Sequence, residues 1–192
     1  MKDRNDLAFD LFRGRLVRLS AVDPDSLSRS FVDWTHDSEY WRLMAATPPY
    51  PLSQEGIKKF IEKDLLKEDP RNLFFTIRAL EDDRVIGGLG FDGISYTQGE
   101  TFVGIGIGER GYWDRGYGTD AMNVLLRYAF TELNLQRATL TVFEYNARAI
   151  RSYEKCGFRV EGRSREALHR EGRRWDLVFM GILQEEWLAL NA

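Results

Sequence analysis

The segment W-D-R-G-Y-G-T, residues 113–119, lies between a predicted strand and a predicted helix. The N-terminus of a helix carries free N–H groups and about half a positive charge, so it attracts phosphate. Glycines in such a loop let the backbone amides approach a ligand directly, and Arg115 adds positive charge. The alternative interpretation is a strand-to-helix turn in which glycine only satisfies the backbone geometry.

A second informative segment, residues 146–158, has the sequence N-A-R-A-I-R-S-Y-E-K-C-G-F. Asn146 is a good N-cap and Gly157 a good C′ residue, which predicts a helix of about three turns. Asn146 and Tyr153 are seven residues apart, almost two full turns, so they share one helix face. The alternative is that Asn146 only caps the helix and Tyr153 only packs.

Residues 106–111 match the dinucleotide-binding pattern G-x-G-x-x-G after a predicted strand. That pattern requires a helix starting at the glycines and an acidic residue about 20 positions further on, at the end of the next strand. Here the predicted helix begins several residues later, and the acid at that spacing, Glu132, lies inside it. The match is therefore interpreted as accidental.

Taken together, segments 113–121 and 146–158 resemble the GNAT superfamily of N-acetyltransferases, specifically its ribosomal-protein and spermidine acetyltransferase-like branch. The branch patterns are W-G-K-G-Y-G-T-E-A and N-x-x-A-x-x-x-Y-x-x-x-G-F, and E-G-R at 161–163 with M-G-I-L at 180–183 also fits. The resemblance covers most of the chain and is strongest from about Val103 to Trp187. It implies a mixed, mostly antiparallel sheet flanked by about four helices.

The resemblance implies that acetyl-CoA is the cosubstrate; no metal is expected, since the chain has one cysteine and two histidines. The amides of 114–119 are expected to receive the pyrophosphate, and the strand 105–107 to pair with the pantetheine arm. Asn146 is expected to hydrogen-bond the pantetheine, and Tyr153 to act as the catalytic residue near the thioester sulfur. The implied cofactor-binding set is Ile105, Gly106, Ile107, Trp113, Asp114, Arg115, Gly116, Tyr117, Gly118, Thr119 and Asn146.

The expected reaction is direct attack of a neutral primary amine on the thioester, through one tetrahedral intermediate. The acceptor stays open among a protein N-terminus, a polyamine and another small amine. Two positions depart from the branch pattern: Asp114 replaces a glycine, and Phe102 stands where a glutamate is frequent. No general base is identified among Asp92, Glu100 and Glu144, the carboxylates at strand ends.

The acceptor side is expected to form from the N-terminal helices and the final hairpin. Acidic and aromatic residues that would suit a cationic amine cluster in the helices, but they equally fit core and solvated surface. The hairpin 159–174 carries six arginines, which would suit an anionic ribosomal substrate or a merely solvated surface. The alternative functions are a non-catalytic acyl-CoA-binding module and a ribosome-associated module. The residues in the helical cluster are Asp33, Trp34, Asp37, Glu39, Tyr40, Trp41 and Tyr50.

The apolar periodicity predicts one α/β (α+β) domain, residues 1–192, with 1–9 as a flexible arm. The order is a strand, two helices, a run of strands, then helix, strand, helix and a closing hairpin. The predicted strands are Leu11–Leu19, Leu73–Leu80, Val85–Phe91, Thr101–Ile107, Arg137–Phe143, the strand from Phe158 onward and Leu177–Leu183; the predicted helices run from Asp23 to about Trp34, from Ser53, from Thr119 to about Leu133 and from Asn146 to Cys156.

The composition excludes several classes of protein without choosing one. The 192 residues include 27 basic and 30 acidic side chains, a net charge of −3 that argues against direct DNA binding as the main function. The single cysteine, Cys156, cannot form an internal disulfide, and two histidines do not make a multi-histidine metal site. Without an apolar leader or span, a cytoplasmic protein is expected, and a homodimer stays open.

Overall fold

The computed structural model describes residues 10–66 and 69–191, and within these ranges it has seven strands and six α-helices. The flexible arm expected at residues 1–9 lies outside the described residues. No described helix is both long and apolar enough to cross a membrane. The strands are β1 (Val17–Ser20), β2 (Leu73–Ala79), β3 (Val85–Ser95), β4 (Glu100–Ile107), β5 (Arg137–Phe143), β6 (Arg159–Arg170) and β7 (Arg173–Leu183); the helices are α1 (Pro24–His36), α2 (Ser38–Met44), α3 (Gln54–Phe60), α4 (Tyr117–Arg127), α5 (Ala147–Lys155) and α6 (Gln184–Leu190).

The seven strands form one sheet in the order β1-β2-β3-β4-β5-β7-β6. Every neighbouring pair is antiparallel except β4 and β5, which confirms the mixed, mostly antiparallel α/β prediction. The β4–β5 pairing covers only residues 100–102 and 137–139. Beyond Phe102 the two parallel strands separate, so the sheet splits open at the C-terminal end of β4.

The caps of α1, α3 and α5 lie where the sequence predicts them, whereas α4 begins at Tyr117, two residues before the predicted Thr119. The Asp23 carboxylate accepts a hydrogen bond from the Asp25 amide at the start of α1, and Ser53 accepts one from Gly56 at the start of α3. Asn146 caps α5, and Gly157 adopts φ +97° just after it. Glycine at that position avoids the cost of a Cβ in the left-handed region.

Two helices, α2 and α6, exceed the expected number of about four. Each has seven residues, too few to show two repeats of the helical period. The predicted strand 11–19 is also shorter than expected. The Asp120 carboxylate accepts hydrogen bonds from the amides of Arg15, Leu16 and Val17. The chain before Val17 turns back on itself, so that Arg13 forms an isolated antiparallel bridge with Arg18, and β1 begins at Val17.

Different helices pack on the two faces of β4. A Cβ at Gly118 of α4 would lie 3.6 Å from Ile107, whereas a Cβ at Gly106 would lie 2.9 Å from Tyr40 and Met44 of α2. Since neighbouring strand residues point to opposite faces, α4 and α2 lie on opposite sides of the sheet. The split between β4 and β5 is therefore open to side chains from both layers.

Candidate active site

A cavity of about 460 Å³ lies at the split between β4 and β5. It is lined by residues 102–107 of β4, 141–143 of β5, the loop before α4, the inner side of α5 and part of α2. Ten of the proposed site residues line this cavity: Ile105, Gly106, Ile107, Trp113, Asp114, Gly116, Gly118, Thr119, Asn146 and Tyr153. The fold thus brings the two predicted segments together around one space.

The loop before α4 is built for close approach to the backbone. Gly116 is the N-cap of α4 with φ +88°, a conformation that few side chains tolerate. Asp114 also adopts a positive φ, 56°, at the position where the family pattern has glycine. The Trp113 indole N–H donates to the Ile107 carbonyl oxygen at 2.7 Å, which fixes the loop to the end of β4.

The side chains of Arg115 and Tyr117 do not line the cavity. The Arg115 guanidinium donates to the Gly111 carbonyl at 2.9 Å and lies 3.7 Å from the carboxylate of Glu81. Tyr117 is buried, and its hydroxyl donates to Glu81 at 2.9 Å. Arg115 therefore does not add positive charge to the cavity as the sequence suggested, and only the backbone amides of these two residues remain available.

The positive charge beside the loop comes instead from Arg148, in the first turn of α5. Its guanidinium carbon lies 3.6 Å from the centre of the Trp113 ring, and Arg110 contacts the same ring at 4.8 Å. Burial lowers the pKa of Arg148, and the nearby Asp114 carboxylate partly offsets this. Among the described residues the Arg148 guanidinium has no hydrogen bond or ion pair, so it remains available to an anion. This residue was not predicted from the sequence, although it lies only two positions after Asn146.

Asn146 and Tyr153 lie on the α5 face that borders the cavity. The Asn146 side-chain oxygen accepts a hydrogen bond from the Ala149 amide at 3.2 Å, so Asn146 caps the helix as predicted. Its side-chain nitrogen has no hydrogen-bond partner among the described residues. Tyr153 is half-buried with its ring 6.0 Å from Phe158. Burial raises the pKa of Tyr153 to about 12, which keeps the phenol protonated. Its hydroxyl has no hydrogen-bond partner in the part of the chain that is described.

Cys156, the single cysteine, is not a nucleophile in this arrangement. It is 3% exposed, and its sulfur lies 3.6 Å from the Thr119 carbonyl oxygen. Burial raises the pKa of the Cys156 thiol to about 12, so almost no thiolate forms at neutral pH. Its role is packing between α4 and α5, next to the 2.8 Å hydrogen bond that joins Thr119 and Ser152.

Helix α2 covers the other side of the cavity. Tyr40 is buried against the sheet, and burial raises the pKa of its hydroxyl. The Asp37 carboxylate caps α2 and binds Arg110, which holds the pKa of that carboxyl below its usual range, and Glu39 pairs with the same arginine. These two acids thus stabilise the helix start and are already paired, so they do not form a free amine-binding cluster.

The end of the β6–β7 hairpin is joined to the C-terminus of α2 by a group of contacts that we call the clasp, formed by Arg170, Glu171, Tyr145 and Arg42. Arg170 donates to the carbonyl oxygens of Arg42 at 2.5 Å and Ala45 at 3.0 Å, and to the Tyr145 hydroxyl at 2.5 Å. Glu171 forms an ion pair with Arg42. These bonds satisfy carbonyl groups that a helix end leaves without partners and hold α2 over the cavity.

A sheet that separates between two parallel strands, beside a glycine-bearing helix N-terminus, defines the class of GNAT-fold acetyltransferases. Residues 15–159 match the family model described as an acetyltransferase (GNAT) domain. The chain belongs to the GNAT acetyltransferase family, which confirms the resemblance found in the sequence.

Individual relatives support the same assignment. The chain is 32% identical over 172 residues to an uncharacterized N-acetyltransferase, p20, of Bacillus licheniformis, covering 90% of this chain and 93% of that protein. It is 39% identical over 74 residues to the spermidine N(1)-acetyltransferase of Vibrio cholerae, covering 38% of this chain and 43% of that one. The crystal structure of the Vibrio cholerae spermidine N-acetyltransferase in complex with CoA and spermine has a similar fold, with a TM-score of 0.78 and 25% identity, covering 90% of this chain and 98% of that chain.

Proposed function

We propose that this protein is an acetyl-CoA-dependent N-acetyltransferase that moves an acetyl group to a primary amine by direct attack. The observation that carries the proposal is the single cavity in which the separated edge of β4, the N-terminus of α4 and the Tyr153 phenol meet. Binding and reaction of a thioester that carries phosphates require three elements together: a strand edge, an anion-binding site and a proton donor.

The residues around the cavity suit acetyl-CoA. The amides of 114–119 would receive the pyrophosphate at the positive end of α4, with Arg148 supplying the charge that Arg115 does not. Residues 105–107 of β4 have no pairing with β5, so their edge can pair with the pantetheine arm. The side-chain nitrogen of Asn146 would donate to a pantetheine carbonyl from the same side.

In the proposed reaction the acetyl group moves from the CoA sulfur to the amine nitrogen, and one proton is transferred at each of these two atoms. A backbone amide near Ile107 polarises the thioester carbonyl for attack by the neutral amine. Tyr153 donates a hydrogen bond and then a proton to the sulfur as the C–S bond breaks. The nitrogen that gains the acetyl group releases one proton, which restores the Tyr153 hydroxyl through solvent, so the protons balance.

The acceptor class is the open part of the proposal. A polyamine is favoured because the Vibrio cholerae relative is a spermidine acetyltransferase, whereas a protein N-terminus or another small amine also fits the chemistry. Within the hairpin, Arg159 and Arg163 pair with carboxylates and Arg170 belongs to the clasp, which leaves less free charge for a ribosomal partner. A cytoplasmic location fits the single reduced thiol.

Release of free thiol from acetyl-CoA, measured with a panel of polyamines, small monoamines and short peptides, tests the proposal. At least one amine is expected to raise the rate above hydrolysis, and Tyr153→Phe is expected to lower kcat about 100-fold with little change in the KM for acetyl-CoA. Tyr96→Phe is the matched control, because the Tyr96 hydroxyl binds the Pro70 carbonyl outside the cavity. Binding of CoA without thiol release for any amine would instead identify a non-catalytic acyl-CoA-binding module.

A further inference from the structure

The floor of the cavity changes width along β4. At Gly106 a Cβ would lie 2.9 Å from the Tyr40 hydroxyl and the Met44 sulfur, so α2 closes the space tightly there. At Gly104 a Cβ would meet no atom within 4 Å. Two residues further, Phe102 is 49% exposed. The cavity therefore has a narrow passage at Gly106 that widens toward Phe102.

Asp92 lies beside this wide end. It is paired directly with Phe102 across the β3–β4 ladder, so the two residues share one face of the sheet with their Cβ atoms about 5 Å apart. Asp92 lines the cavity, whereas Glu100 and Glu144 do not. Among the described residues the Asp92 carboxylate has no hydrogen bond or ion pair, while Glu144 accepts a hydrogen bond from the Asp176 amide at 2.5 Å.

The charges around the cavity are separated by type. Within the described lining, the cations are Arg148, Arg151 and Lys155, which all belong to α5. The only lining carboxylates there are Asp114, in the loop near Arg148, and Asp92, at the wide end. One end of the cavity therefore suits phosphates, and the opposite end suits a cation.

The spacing along the strand indicates what kind of cation. Phe102 is three residues from Ile105, about 10 Å along β4. A nitrogen attacking a thioester beside residues 105–107 is therefore too far away to touch Asp92. An ion pair of about 3 Å at Asp92 leaves about 7 Å between that ion and the attacking nitrogen, the span of a four-carbon diamine.

We propose that Asp92 binds the second ammonium group of the acceptor, so that the preferred acceptors are diamines and longer polyamines. The assignment rests on the proposed function and makes it more specific. The exposed ring of Phe102 stands directly beside Asp92, where it offers an aromatic surface to the alkyl chain and the same ammonium. Asp92 thus selects the acceptor and takes no part in proton transfer.

The selectivity test compares kcat/KM for 1,4-diaminobutane and 1-aminobutane, which have the same chain length and differ by one charge. The wild type is expected to favour the diamine, and Asp92→Asn to lower that preference about fivefold with an unchanged rate for the monoamine. Glu100→Gln, which removes an exposed carboxylate on the neighbouring strand outside the cavity, is expected to keep the preference. Equal rates for both amines in the wild type, or an unchanged preference in Asp92→Asn, would overturn the assignment.

A binding measurement separates this inference from the proposed function. Calorimetric titration of 1,4-diaminobutane into the protein saturated with CoA requires no turnover. Binding that weakens about fivefold in Asp92→Asn and persists in Glu100→Gln supports the subsite even when no thiol is released, in which case only the catalytic proposal fails. Absence of diamine binding to the wild type, or equal binding to wild type and Asp92→Asn, rules out the subsite whatever the transfer assay shows.

Discussion

The two ends of the cavity are held in place in different ways. The cofactor end is built from β4, the loop 113–119 and the N-terminal half of α5, which lie within about 55 residues of one another and depend on backbone conformations such as that of Gly116. The acceptor end depends on the clasp, where Arg170 reaches across 128 residues to the Arg42 carbonyl. The cofactor end is therefore formed by segments that are close in the sequence, whereas the acceptor end depends on contacts between segments that only the folded chain brings together.

The largest expected effect at the cofactor end comes from Gly116→Val. A β-branched residue at φ +88° costs on the order of 1–3 kcal/mol, and the loop can avoid this strain only by moving its amides. We expect the Kd for acetyl-CoA to rise about 30-fold, measured by calorimetry, while the preference among amines stays the same.

Gly111→Ala is the control for that variant. Gly111 precedes the same loop, a Cβ there would meet no atom within 4 Å, and its φ is not in the left-handed range. Affinity for acetyl-CoA in Gly111→Ala should match the wild type. A normal affinity in Gly116→Val would show that the loop conformation does not matter for the cofactor, and the comparison between the two ends would lose its basis.

The same difference explains how much of the site could be predicted from the sequence. The loop at 113–119, the cap Asn146 and the phenol Tyr153 belong to contiguous segments with strong helix and turn signals, so their meeting at the split sheet could be expected. Arg148 was missed because its contact is with the Trp113 ring, 35 positions earlier, rather than with its own helix. The clasp could not be predicted, because most of its hydrogen bonds end on backbone carbonyls, which carry no sequence signal.

At the acceptor end, Arg170→Ala tests whether the clasp positions α2. The guanidinium donates to the carbonyls of Arg42, Ala45 and Ala46 and to the Tyr145 hydroxyl, and hydrogen bonds to a charged group contribute about 1.5–3 kcal/mol. We expect the KM for the amine to rise about tenfold and the KM for acetyl-CoA to change less than twofold. Steady-state kinetics with each substrate varied in turn gives both values.

Arg165→Ala is the matched control, since Arg165 is an exposed arginine on the same strand and, among the described residues, forms no hydrogen bond or ion pair with α2. It should leave both KM values near those of the wild type. If Arg170→Ala raises both KM values equally, the clasp stabilises the whole fold and does not act on the acceptor end alone.

The smallest expected effect, and the only gain, comes from Asp114→Gly at the cofactor end. Asp114 combines a left-handed backbone, φ 56°, with a negative charge beside the proposed phosphate site. Glycine relieves the backbone strain, worth about 1 kcal/mol, and removes the charge, so both stability and affinity should rise, the latter about threefold.

Asp114→Asn separates the two causes, because it removes the charge while keeping a side chain that tolerates the left-handed region. Thermal unfolding should therefore improve only with glycine, whereas the Kd for acetyl-CoA should fall in both variants and the gain should shrink at high salt. An unchanged Kd in both variants would mean that two effects of removing the Asp114 carboxylate cancel. The phosphates lose an electrostatic repulsion, and Arg148 loses an electrostatic attraction of equal size.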